Sequence, residues 1–236
     1  MTASLARIST LIGLAALVAL PVADAQQDAR PGIAVLTFEN GGSYGKNNED
    51  YDGLRRGIPA VLLSELSADQ RFRLVDRAET ARVLDEQSLG ASGRVDRETA
   101  ARVGRLVGAR YMVAGTFIDL YGDFRLDARV IDVETGEILS TVRSNPSLDD
   151  IKQLYAIIRS VAQQLGSEGK LPVRLSRAET SSPRQVPTEA LVLYSRALLY
   201  EDRDDRPKAI EYYQRALDQF PDFTEAQEAL RKVRGR

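Results

Sequence analysis

The sequence of 236 residues contains no cysteine and no histidine. The first absence excludes disulfides, thiolate metal sites, thiol catalysis and the lipid-bearing cysteine of a bacterial lipoprotein. The second removes the commonest general base, the commonest zinc ligand and every catalytic triad built on imidazole. We therefore predict no metal, no cofactor and no catalytic residue. An enzyme would have to work with carboxylates, lysine or tyrosine alone.

Excess charge is also lacking, since the formal net charge is -2. This balance indicates neither nucleic acid nor an anionic membrane as a partner. Long apolar runs are limited to the amino terminus, where Ile8 to Leu20 follow Arg7 and precede the small-residue motif Ala23-Asp24-Ala25. That order predicts a secretory signal at residues 1–25, with Ala23 and Ala25 at the cleavage site.

The predicted location of the mature chain is the periplasm, with outer-membrane association as an extension. The alternative is an uncleaved anchor. It is disfavoured because about 13 mostly apolar residues fall short of the roughly 20 that a membrane-spanning helix needs.

Residues 32–168 predict one α/β sandwich built on a mixed sheet with helices. Short turns after Leu120 and Val133 join three apolar segments into an antiparallel meander. Asp76 and Asp96 are candidate helix caps. The predicted strands are 33–38, 72–75, 111–120, 124–133 and 138–143, and the predicted helices begin at Tyr51, after Asp76, after Asp96 and after Pro146 and Ser147.

A basic stretch rich in proline and serine, residues 169–186, predicts a linker. From residue 187 to residue 236 the apolar spacing predicts a small all-α segment of three helices. Its alanines, tyrosines and proline resemble the signature of a 34-residue tetratricopeptide repeat. The residues that carry this resemblance are Ala197, Tyr200, Ala209, Tyr213, Ala216 and Pro221.

Residues 32–166 resemble the CsgG family of curli production and transport proteins. The resemblance is carried by Ala34 to Asn40, Phe72 to Arg77, Ala100 to Gly108 and Tyr111 to Thr116, in that order. It implies an anticodon-binding-like α/β domain related to LpoB and to the amino-terminal domain of TolB. It also implies a protein that docks or assembles.

Three features of the sequence could form a catalytic or binding site, and each has a simpler structural explanation. The acidic residues Glu49, Asp50 and Asp52 could support carboxylate chemistry, yet we expect them to solubilise a loop and cap the next helix. Residues 41–46 superficially resemble a phosphate loop but lack the spacing that ends in Gly-Lys-Ser/Thr. We interpret them as a docking loop around Tyr44.

In the helical tail, Tyr194 and Tyr212 are candidates for partner binding, whereas Tyr200 and Tyr213 are expected to pack. The leading hypothesis is a non-catalytic periplasmic adaptor that contacts unidentified envelope proteins, or itself as a homo-oligomer, while its tail recruits a second protein. The alternatives are a subunit of an oligomeric curli-type secretion channel in the outer membrane, and an enzyme that uses only carboxylates.

Overall fold

The structure is a computed structural model that describes residues 28–45, 47–67, 72–86, 96–144, 149–167 and 184–235. The predicted signal peptide, with Ala23 and Ala25, lies outside this part of the chain, as do Lys46, Pro146, Ser147 and residues 168–183 of the linker region. The described residues form seven strands and seven α-helices.

Their bounds, in chain order, are β1 (Gly32–Val35), β2 (Glu39–Asn40), α1 (Asn48–Leu66), β3 (Arg73–Leu74), α2 (Arg77–Glu86), α3 (Arg97–Leu106), β4 (Tyr111–Leu120), β5 (Asp123–Asp132), β6 (Ile138–Arg143), β7 (Asp149–Asp150), α4 (Leu154–Ser167), α5 (Thr188–Asp202), α6 (Arg206–Gln219) and α7 (Thr224–Arg234). A 3-10 turn, Ile151–Gln153, precedes α4.

The strands form one mixed sheet in the order β3-β1-β4-β5-β6. Strand β1 is parallel to both β3 and β4, whereas β4, β5 and β6 form the predicted antiparallel meander. Two short strands add to this sheet. Strand β2 runs parallel to β4, and β7 runs antiparallel to β5. The predicted α/β class with a mixed sheet is confirmed.

Helix starts follow the predicted capping chemistry. The Asp76 carboxylate accepts a hydrogen bond from the Ala78 amide at 2.6 Å, and Asp96 accepts one from the Thr99 amide at 2.7 Å. Helix α1 begins three residues earlier than predicted, because the Asn47 side chain accepts from the Asp50 amide. The segment between the predicted strand 33–38 and residue 51, for which no strand or helix was predicted, therefore contains β2 and the first turn of α1.

Apolar layers cover both faces of the sheet. On one face, the alternate β5 residues Phe124, Leu126 and Ala128 are buried in a cluster that includes residues of α1 and α4. On the other face, α2 and α3 cover only the half of the sheet that holds Met112 and Ile131. Burial alternates along the first part of β5, where Arg125, Asp127 and Arg129 are partly exposed between buried neighbours.

The helical tail packs on the α/β part and shares an apolar core with it. Helix α5 contacts α1 on one side and α6 on the other, and the tail side chains join the same apolar cluster as α1. Contact is close because Gly53 and Gly57 of α1 face Ser195, where a β-carbon on Gly57 would lie 1.7 Å from the Ser195 hydroxyl oxygen. The three predicted tail helices are confirmed.

Candidate docking surface

The predicted partner-binding residue Tyr44 lies at the outer end of the β4–β5 hairpin. Its amide donates to the Asp119 carbonyl at 2.7 Å, and its carbonyl accepts from the Tyr121 amide at 3.0 Å. Tyr44 also pairs with Leu120 in a parallel bridge. The exposed fractions are 61% for Tyr44, 39% for Leu120 and 84% for Tyr121. We call these three residues the docking tip.

The turn that joins β4 to β5 holds its two residues in the left-handed region. Tyr121 has φ of 58° and Gly122 has φ of 104°. Positive φ at both positions matches the twist of a two-residue hairpin, where Asn-Gly is the favoured pair. A tyrosine at the first position costs about 1 kcal/mol relative to an unstrained residue. The turn thus presents an aromatic side chain where local stability favours a small polar one.

The buried carboxylate of Asp119 fixes the tip from below. Its two oxygens accept from the Tyr51 hydroxyl at 3.1 Å and from the Gly122 amide at 2.7 Å. Its own amide donates to the Ser43 hydroxyl at 3.0 Å. Asp119 is 1% exposed, so these bonds form away from water, where an unsatisfied partner is costly. They hold the Tyr44 loop and the hairpin turn together.

An aromatic cluster supports the same end of the sheet. The rings of Phe117 and Phe124 stack with centroids 5.9 Å apart, and Tyr51 contacts Phe117 at 6.4 Å. Phe117 and Phe124 are fully buried. Packing of this kind restricts side-chain motion. The docking tip therefore stands on a rigid base.

Tyr194, the second predicted partner-binding residue, is part of the tail core. Its ring contacts Phe223 at 4.9 Å and Tyr213 at 5.9 Å, and its side chain is 5% exposed. Burial raises the pKa of the Tyr194 hydroxyl. The packing predicted for Tyr213 is observed, since that residue is fully buried. The folded tail offers almost no Tyr194 surface to a partner, which departs from our expectation.

Tyr212, the third predicted residue, is half-buried in a stack of rings and cations. Its ring lies parallel to that of Tyr200 at 5.3 Å, and the guanidinium of Arg215 lies 5.0 Å from it. Its hydroxyl accepts a hydrogen bond from Arg196 at 3.2 Å. These contacts account for Tyr212 within the chain, and a partner-binding role for it stays a prediction.

The acidic group at the start of α1 connects that helix to the tail. Asp50 pairs with Arg196 at 2.7 Å, and Glu49 accepts a hydrogen bond from the Tyr200 hydroxyl. That bond raises the pKa of Tyr200 to about 12. Asp52 is 3.9 Å from Arg55 and from Arg203. The carboxylates thus neutralise cations of the helices, and the described residues include no group of three or more His, Cys, Asp or Glu that could hold a metal ion.

Sequence reasoning missed Tyr121 and Leu120. The Tyr-Gly-Asp stretch was interpreted only as a connection between strands. A signal was present, because a bulky residue directly before glycine in a two-residue hairpin occupies a position that normally favours Asn, Asp or Gly. That departure from the turn preference singles out Tyr121 in the sequence.

None of the helices within the described ranges combines the length and the apolar character needed to cross a bilayer. Comparison with known families matched residues 17–125 to the family described as curli production assembly/transport component CsgG. Comparison with curated proteins found no match.

Several solved structures are similar in fold to part of the chain. The C-terminal domain of LpoB from Escherichia coli is 22% identical, with 48% of this chain and 79% of that chain covered and a TM-score of 0.37. TolB from Acinetobacter baumannii is 19% identical, with 58% and 29% covered and a TM-score of 0.34. The PelC dodecamer from Paraburkholderia phytofirmans is 14% identical, with 62% and 90% covered and a TM-score of 0.38.

Identities this low describe a partial likeness of fold and say nothing about function. The family match is the stronger finding, and its range contains all four of the segments that carried the resemblance in the sequence. The predicted resemblance to the CsgG family is therefore confirmed, and residues 17–125 are the part of the chain that carries it.

Proposed function

We propose that this chain is a non-catalytic adaptor of the bacterial cell envelope that binds another protein through the docking tip. Export through the predicted signal peptide would place it in the periplasm. The family match supports an assembly or transport setting, because the matched family is described by that role. The tail, in this proposal, strengthens the body of the protein by packing on α1.

The observation that carries the proposal is the strained, exposed Tyr121. A residue held in a sparsely populated backbone region costs stability, and such residues cluster at functional sites. Here the strained residue is Tyr121, whose aromatic side chain is 84% exposed at the end of a rigid hairpin. Tyrosine is enriched among the few residues that dominate binding energy at interfaces.

The neighbouring groups of the tip fit the same role. Backbone pairing brings Tyr44 next to Leu120 and Tyr121, so these three exposed residues are grouped at one end of the sheet. Because Asp119 fixes the backbone beneath them, binding would cost little conformational entropy. A preorganised aromatic anchor of this kind suits an apolar pocket on a partner.

The experiment uses the substitution Tyr121→Asn, which fits the turn better than the parent residue. We expect the variant to be as stable as the parent or more stable by up to about 1 kcal/mol, because Asn tolerates positive φ. A photo-crosslinking amino acid placed at residue 44 should give a partner adduct in intact cells. In the Tyr121→Asn background, that adduct should fall at least tenfold, as the loss of an anchor worth about 2 kcal/mol requires.

The matched control is Leu106→Ala, which removes another exposed apolar side chain, 55% exposed, on α3. It should leave the adduct unchanged. An unchanged adduct in the Tyr121→Asn background would disprove docking through the tip. Recovery of the processed chain only from the cytoplasm would disprove the envelope role.

The second candidate function is a subunit of an oligomeric secretion channel of the curli type, which the description of the matched family favours. In the structure, β4 and β5 are flanked along their length by β1, β2, Tyr44, β6 and β7. Rings that require detergent and sediment with outer membranes would favour the channel. A chain that stays in the soluble periplasmic fraction would favour the adaptor.

A further inference from the structure

Two carboxylates border the docking tip. Asp123 and Asp150 are exposed and lie directly opposite each other in the pairing of β5 with β7. Like charges in directly opposed positions destabilise a strand pair. No ion pair joins either carboxylate to another side chain among the residues that the structure describes. An apolar tip with an acidic border is best matched by an apolar pocket lined with cations.

A cavity with that chemistry begins two residues beyond Asp150. It has a volume of about 430 Å³ and is lined by Lys152, Gln153, Tyr155, Ala156, Arg159, Arg184, Gln185 and Val186. Every charged side chain in this lining is cationic. Two carboxylates lie behind the wall, where Glu65 is 3.9 Å from Arg159 and Glu225 is 2.7 Å from Arg184. The exposed Lys152 is left as the excess charge at the mouth.

The wall of this cavity is well ordered by its own contacts. The Tyr155 hydroxyl donates to Glu65 at 2.5 Å and accepts from Arg184 at 2.9 Å. Burial, together with the Glu65 hydrogen bond, raises the pKa of Tyr155 to about 12. The side chain of Tyr155 thus stays protonated and supplies a fixed aromatic wall beneath the cationic rim.

We infer that the docking tip of one copy of this chain binds the Lys152 cavity of a second copy. The inference rests on the proposed docking function and identifies the protein that the docking tip binds as a second copy of this chain. The tip and the cavity are adjacent, because the Ile151 amide donates to the Gly122 carbonyl at 2.8 Å. A two-fold axis between them therefore makes both contacts at once, with each tip in the other copy's cavity. Such a reciprocal contact is the isologous arrangement that closes a dimer.

Other occupants fit the same surface less well. An anionic membrane would repel the paired carboxylates beside the tip. A partner with an acidic surface would meet the same repulsion. A second copy carries a cavity whose charged lining is cationic directly beside its own tip, so a single pairing of two copies can satisfy both surfaces. The contact patch is small, so we expect a weak dimer that loses affinity as salt is added.

The test is a charge swap measured by analytical ultracentrifugation of the purified mature chain. One variant carries Asp123→Arg with Asp150→Asn, which keeps a capping side chain at residue 150. The other carries Lys152→Glu with Ala156→Glu, both at exposed positions. Each variant alone should be monomeric, with self-association weakened at least tenfold. Their equimolar mixture should form a one-to-one dimer, because both reversed surfaces become complementary again.

Two controls keep the result interpretable. Asp218→Lys, on α6, should leave self-association unchanged, and circular dichroism should show the parent fold in every variant. A parent chain that is monomeric at 500 µM, or a mixture that stays monomeric, would overturn the inference. If the charge swap fails while Tyr121→Asn still removes the cellular adduct, the docking function stands and the occupant is another protein. If both fail, both proposals fall.

Discussion

The docking tip and the tail junction use the same residue type in opposite ways. At the junction, Tyr194 and Tyr213 are buried and contact each other. At the tip, Tyr44 and Tyr121 stand largely in solvent. The two regions differ in what their backbones do. Helices bring the first pair together at regular spacing, whereas a strained turn and a loop carry the second pair away from the core.

Exposure and charge pairing, rather than residue type, distinguish the two regions. At the junction, cations have acidic partners across the two parts of the chain, as in Arg196 with Asp50 and Arg56 with Asp202. At the tip, the two neighbouring carboxylates Asp123 and Asp150 face each other instead. The Asp150 carboxylate accepts a hydrogen bond from the Lys152 amide at 2.9 Å, but within the described residues neither Asp123 nor Asp150 forms an ion pair of the kind that joins the two sides of the junction.

The largest effect should come from truncating a junction tyrosine. Tyr213 is fully buried, and its hydroxyl donates to Glu201 at 2.7 Å. We expect Tyr213→Ala to lower the free energy of unfolding by about 3–5 kcal/mol, since it leaves a cavity and removes the hydrogen bond from the Tyr213 hydroxyl to Glu201. Chemical denaturation measures the change. Tyr121→Ala is the paired control and should change stability by no more than about 0.5 kcal/mol; equal losses would erase the contrast between the two regions.

The next effect tests the close contact between α1 and α5. Gly57→Ala should lower the free energy of unfolding by about 1–3 kcal/mol, because the added methyl group collides with Ser195. The sign is diagnostic, since the same change in an exposed helix stabilises by about 1 kcal/mol. Adding Ser195→Gly should recover part of the loss. A stabilising Gly57→Ala would show that the tail does not pack on α1 as described.

Much of the sheet was predictable because its signals are local. The meander strands were predicted to within one residue, since short turns and alternation constrain both ends of β4 and β5. Asp96 was predicted as a cap from one side chain before a helical pattern. In contrast, β2 and β7 each contain two residues, which is too short for any alternation to be visible.

The tail junction was not predicted because it joins residues about 140 positions apart. Tail tyrosines look alike in sequence whether they bind a partner or fill a core, so the burial of Tyr194 could not be predicted from its spacing. One local signal was available. Gly53 and Gly57 share a face of α1, and two glycines on one helical face indicate that another backbone approaches closely. Their partner, Ser195, carries no matching signature.

A smaller effect should follow from removing the carboxylate under the tip. Asp119→Ala removes the hydrogen bonds that the Asp119 carboxylate accepts from the Tyr51 hydroxyl and the Gly122 amide. We expect a loss of about 1–2 kcal/mol in the free energy of unfolding. Hydrogen exchange at Gly122 should accelerate more than exchange in α5. The control is Tyr51→Phe, which removes one donor but keeps the bond to Gly122. If exchange at Gly122 stayed slow in Asp119→Ala, the tip would be held by other means.

The smallest effect tests an exposed ion pair between the tail and α2. Lys232 donates to Asp76 at 3.0 Å. Burial opposes ionisation of Asp76, but hydrogen bonds from Lys232 and the Ala78 amide outweigh it and lower its pKa. A carboxyl group whose pKa is lower in the folded state adds stability above its unfolded pKa of about 3.9, and that stability is lost as the pH falls through the folded pKa.

Asp76→Asn removes the charge and keeps a capping side chain. We therefore expect a loss of less than about 1 kcal/mol at pH 7, because the pair is half exposed and screened by solvent. The gap between variant and parent should shrink as the pH falls below about 4, and 1 M salt should reduce it at neutral pH. Thermal melts from pH 2 to pH 7 measure both trends. If the stability difference between variant and parent widened in acid, folding would raise rather than lower the pKa of Asp76.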